Sequence, residues 1–157
     1  KTLLENLFDN QQPNLFYADV LSDIYIQLKQ YDTGITMLAE LNLLMPNNPV
    51  VTLNYANVLE TAKKHEQAAT LLQDFLLIAP DSIIAYQLLT TIYKKQGKTA
   101  LMHTAKAEVL AMIGAYPQAI DELQTAYNFA KKQPLVQKRI KAKILQFQAK
   151  KDKIERL

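Results

Sequence analysis

The chain has 157 residues, of which 49% are apolar and 21% charged, with no cysteine and a net charge of +3. That length suits one domain or a short repeat array, and the apolar fraction excludes a disordered, highly charged tail. The missing thiols exclude disulfides and thiolate zinc sites while leaving the compartment open, and no apolar run approaches the roughly 18 residues of a membrane span.

Three glycines and six prolines are few for an all-β chain, whereas long stretches are Leu, Ala, Gln, Lys and Glu, all good helix formers. Lys1 to Phe8 reads as the second helix of a hairpin. The chain opens on Lys rather than Met and shows no signal peptide, so it is expected to be a piece of a longer protein. An unpaired first helix would leave an apolar face through which two copies could dimerise.

The next segments repeat. LNLLMPNN and FLLIAPDS place Pro46 and Pro80 about 34 residues apart, a period of stacked helical hairpins. Aligned on these prolines, three first helices read ADVLSDIY, TLNYANVL and YQLLTTIY, and two second helices read GITMLAEL and AATLLQDF. Large, small and large residues recur on the first helices: Leu21, Ser22 and Tyr25; Tyr55, Ala56 and Leu59; Leu89, Thr90 and Tyr93. Gly34 and Ala68 let the second helices approach, followed by Leu38 and Leu41, and by Leu72 and Phe75. Spacings of three and four keep each set on one helix face. Asn48-Pro49 and Ser82 supply helix starts, while Gly97 and Gly114 end helices.

Gly97 and Gly114 are separated by only half of that period, so the helix between them must serve two hairpins. A second-helix-like stretch, YPQAIDELQTAY, follows, and then a long helix from Pro134. The period and small–large pattern resemble the tetratricopeptide repeat, although Ala18, Thr52 and Tyr86 stand where its tryptophan is usual. The expected fold is all-α, a tetratricopeptide-like right-handed superhelix of about nine helices. Its repeats would occupy 14–46 and 48–80, with an irregular one over 82–113, a half-shared hairpin over 99–132 and a basic capping helix over 134–157.

YKKQGK (Tyr93 to Lys98), AEVLAMIGAYPQAIDEL (Ala107 to Leu123) and QKRIKAKILQFQ (Gln137 to Gln148) follow one another in an order that resembles the C-terminal repeat region of BepA-like bacterial periplasmic zinc metallopeptidases. The resemblance implies a periplasmic chain whose repeats contact protein clients or the machinery that assembles outer-membrane β-barrels. Zinc would belong to a catalytic domain upstream, with no cofactor in this stretch. The metallopeptidase motif needs His-Glu-x-x-His, and the near match His65-Glu66-Gln67-Ala68-Ala69 has alanine at the second ligand position.

No other catalytic pattern stands out. Two histidines lie on different helices, and there is neither a phosphate-cradling glycine loop nor a Gly-x-Ser-x-Gly turn. Scattered carboxylates such as Asp121 and Glu122 are read as exposed helix faces. The groove expected of such an array is lined by outward positions of the first helices. These are Asp19, Asp23 and Ile26; Leu53, Asn54, Asn57 and Glu60; and Gln87, Leu88, Thr91 and Lys94. With Asp19, Asp23, Ile84 and Leu88 where a carboxylate clamp would need donors, an acidic C-terminal tail is disfavoured and an extended or helical protein segment fits better.

Charge is unevenly spread. From Pro134 onward eight basic residues face only Asp152 and Glu155, a surplus of six, so the stretch before Pro134 carries a deficit of three. The stripe Val136, Ile140, Ile144, Phe147 and Ile154, interrupted by Lys151, reads as the apolar face of a cap. The expected function is a non-catalytic protein-interaction module. The alternatives are a stand-alone adaptor, or binding of nucleic acid or anionic lipid through the basic helix. Clustered Lys and Arg would neutralise phosphates, but nucleic acid is not expected, since aromatic residues for base stacking are nearly absent, with Phe147 alone.

Overall fold

Asn48 and Ser82 open helices one repeat apart. The Asn48 side chain accepts hydrogen bonds from the amides of Val50 and Val51 at 3.0 and 3.3 Å, and Ser82 accepts one from Ala85 at 3.4 Å. Each satisfies amides that the first helical turn would otherwise leave unpaired. Between these signals the computed structural model, which describes residues 15–156, runs as helices α1 (Leu15–Gln27), α2 (Tyr31–Leu44), α3 (Pro49–Thr61), α4 (His65–Ile78), α5 (Ile83–Lys95), α6 (Thr99–Met112), α7 (Tyr116–Phe129) and α8 (Pro134–Glu155). Among the described residues there are eight helices and no strand. The helix expected over Lys1 to Phe8 lies outside them.

Helix starts Leu15, Pro49 and Ile83 advance by the same interval that separates Pro46 from Pro80, as do Tyr31, His65 and Thr99. The turns repeat as well. Lys29, Lys63 and Gly97 adopt left-handed backbone with φ of 58°, 62° and 68°. That conformation swings the following amide back, so Gln30 donates to the Tyr25 carbonyl at 2.8 Å, Lys64 to Leu59 at 2.8 Å and Lys98 to Tyr93 at 2.9 Å. Gly114, at φ 80°, sets up the same bond from Ala115 to Leu110 at 2.9 Å, only half a repeat after Gly97. The turn after α6 is therefore built like the turn after a first helix, although α6 begins in the register of a second helix. It packs against both α5 and α7.

The chain divides into two compact units, residues 1–80 and 81–157. In the first, Ala18, Tyr25, Met37, Leu38, Leu41, Val51 and Val58 form one buried cluster across α1, α2 and α3. Gly34 fits closely there, since a Cβ would sit 3.2 Å from Tyr25 Cβ and 3.4 Å from Val58 Cγ1. Ser22 is buried on the same side and donates to the Ala18 carbonyl at 2.6 Å, so its hydroxyl is not left unpaired. Ala68, Ala69, Leu72 and Phe75 are the buried residues of α4.

In the second unit, alanines dominate where helices must approach. Ala107, Ala119, Ala126 and Ala130 are fully buried beside Leu123, Ile140 and Phe147. Helix α8 lays Ile140 and Phe147 into this cluster, with Val136 and Ile144 half-buried beside it, and the Phe147 ring meets Tyr116 edge-on at 5.9 Å. An ion pair from Lys143 to Glu108 ties α8 to α6, and burial lowers the Lys143 pKa, with Lys150 adding to the shift. Beyond Lys151 the stripe leaves the core and Ile154 is exposed.

Candidate partner-binding surface

The outward positions of the first helices occur in equivalent sets: Asp19, Leu53 and Gln87; Asn54 and Leu88; Asp23, Asn57 and Thr91; Ile26, Glu60 and Lys94. In the first unit α1 packs against α3, which brings two of these sets side by side. Asn54 Nδ2 donates to Asp19 Oδ1 at 2.9 Å across the two helices, while Asp23 is exposed. Leu53, Asn54 and Asn57 are half-buried. Ile26 is half-buried against the first core cluster, and Glu60 is buried at 8% exposure rather than facing solvent. In the second unit α5 exposes Gln87, Thr91 and Lys94, with Leu88 half-buried and Ile84 exposed.

The first-unit surface is thus acidic and amide-rich, with Leu53 supplying apolar area. Backbone groups of an extended segment can be met by Asn54 and Asn57, and cationic side chains by Asp23. The two histidines lie on other helices, α4 and α6. His65 opens α4, next to the buried Ala68 and Ala69. His103 Nδ1 lies 2.6 Å from Glu122 Oε2, and its ring stacks on Phe129 at 5.8 Å. Lys106 Nζ reaches the other Glu122 oxygen at 2.6 Å. Burial pushes the Glu122 carboxyl up, but the hydrogen bonds from His103 and Lys106 outweigh it and hold the pKa below 4.5. Glu122 thus makes specific bridges between α6 and α7, a pairing between helices that spacing along one helix could not disclose. Among the described residues no cluster of three metal-ligating side chains occurs, and no helix is long and apolar enough to cross a membrane.

A second concavity has little trace in the sequence. Gln124, Tyr127 and Asn128 of α7, with Lys141, Ile144 and Leu145 of α8, line a cleft of about 510 Å³. A smaller one of about 450 Å³ lies between the α5–α6 turn with the first residues of α6 (Gly97 to Leu101) and Phe129 and Gln133. Their only sequence signal is apolar residues outside the helical stripe, Phe129 and Leu145, which are 60% and 61% exposed.

Residues 25–92 match the family described as tetratricopeptide repeat. Over 96% of its length the chain is 34% identical to a Vibrio cholerae serotype O1 protein provisionally named a beta-barrel assembly-enhancing protease, covering 31% of that protein. A Yersinia pestis protein named beta-barrel assembly-enhancing protease is 28% identical over 92% of the chain, which covers 30% of it. The chain spans about a third of the length of these relatives.

Proposed function

We propose that this chain, an all-α tetratricopeptide-repeat chain matching the beta-barrel assembly-enhancing proteases, is a non-catalytic docking module that holds a protein segment against α1 and α3 of its first unit. The observation that carries this reading is the polar surface that α1 and α3 form together in the first unit, where Asn54 is bonded to Asp19 and Asp23 and Asn57 stand at equivalent places. Repeat units hold their shape by burying Tyr, Leu and Ala between helices, so this surface is presented with little ordering cost on binding.

The partner, on this reading, is an extended or helical segment of a protein engaged in outer-membrane β-barrel assembly, and the compartment is the periplasm. A proteolytic centre, with its zinc, belongs to the longer protein, and this chain supplies recognition.

Photo-crosslinkers placed at Asp23 and Asn57 test the surface, with Thr36 and Thr70 on the outer faces of α2 and α4 as controls. The expected result is adducts with a purified unfolded β-barrel polypeptide or a barrel-assembly component from the first two positions and not from the controls. Equal labelling from both sets overturns the assignment.

A further inference from the structure

Between Leu123 and Lys151 the chain contains eight lysines and arginines and no carboxylate. Part of this run is spent internally, since Lys143 pairs with Glu108 and Lys151 with Glu155. Lys131, Lys132, Lys138 and Arg139, in the α7–α8 turn and the first turns of α8, are all exposed. Two large apolar residues stand among them, Phe129 at 60% and Leu135 at 72% exposure. The cleft that Phe129 and Gln133 share with Gly97, Lys98 and Leu101 puts the α5–α6 turn on the same edge of the second unit. That turn follows Lys94 and Lys95, and no acid occurs from Ser82 to Ala107. The α6–α7 turn has Ile113 exposed but no cation in Ile113 to Gln118.

We infer that the edge formed by the α5–α6 and α7–α8 turns docks on an anionic lipid surface, with Lys131, Lys132, Lys138 and Arg139 facing headgroups and Phe129 and Leu135 entering the interface. The chemistry favours lipid over the other polyanions. Cations alone would suit nucleic acid equally, but a nucleic acid backbone gains nothing from an exposed leucine, whereas a bilayer interface takes up both leucine and phenylalanine. Phe147, the aromatic of α8, is buried at 3% exposure and cannot stack on a base, and the exposed Phe129 already stacks on His103 at 5.8 Å. An interfacial contact needs no membrane span, in keeping with the absence of a spanning helix among the described residues.

The test is co-sedimentation of the full chain with phosphatidylcholine vesicles, with and without phosphatidylglycerol. Binding is expected only to the anionic vesicles and is expected to fall as salt rises. The double variant Lys131→Glu/Lys132→Glu should bind about tenfold more weakly, as loss of surface charge attraction requires. Leu135→Ser should weaken binding while keeping the salt dependence, with circular dichroism and melting temperature unchanged in both variants. Equal binding to neutral vesicles overturns the inference, as does indifference to the charge reversal. So does competition by duplex DNA that remains undiminished in Leu135→Ser, which would mark a general polyanion surface. Vesicle binding is read independently of the crosslinks at Asp23 and Asn57, so either result stands without the other.

Discussion

Lys63 shows how one residue is constrained by its place in the repeat. It occupies the left-handed turn position that Gly97 fills one repeat later, and its backbone amide donates to Glu60 at 2.9 Å. A side chain there is strained, so Lys63→Gly is expected to raise stability by about 0.5–1 kcal/mol, read from the urea midpoint. The opposite change tests the core. Leu72 is fully buried, and Leu72→Ala should cost about 2–5 kcal/mol. Tyr55, placed by its spacing among the same kind of core residue, is only half-buried at the edge of its cluster, and Tyr55→Ala should cost less than Leu72→Ala in the same denaturation series. Spacing discloses which face a residue occupies. How far the face is covered depends on the neighbouring helix.

Among elements, α6 carries the most information. Its start keeps the register of a second helix, while Ala107 and Leu110 repeat the small and large positions of a first helix. One surface therefore meets α5 and another meets α7, and the half-period between Gly97 and Gly114 already implied this sharing. The bridge from Glu122 to His103 and Lys106 joins α6 to α7 electrostatically. Because the folded Glu122 pKa lies below 4.5, its contribution is present above that value and is lost as pH falls through the folded pKa. Acid unfolding should therefore be shallower below pH 4.5 in Glu122→Gln than in the unaltered chain, and melting temperatures across that range measure it. Helix α8 shows the limit of periodicity. Its apolar stripe is visible in the sequence, but only packing shows that the stripe is covered at Ile140 and Phe147 and left exposed at Ile154.

Across the whole molecule, charge is sorted by position: residues 1–80 hold nine carboxylates against four lysines, while the surplus of cations lies toward the C-terminus. The acidic first-helix surface and the cationic turn edge should therefore choose opposite partners. A fluorescent peptide ending in acidic residues should not bind the unaltered chain at the first helices. Asp19→Lys/Asp23→Lys should gain affinity for it by about tenfold or less, read by fluorescence anisotropy, because screening limits exposed charges. The sequence by itself determined the helical class, the repeat interval, the shared helix and the charge asymmetry, since these depend on side-chain order and local backbone chemistry. Only the tertiary structure decided that Asp19 is bridged to Asn54, that Glu60 is buried, and that two basic turns share one edge. Those outcomes depend on how helices distant in the chain approach one another, and packing distance leaves no mark in the spacing of a single helix.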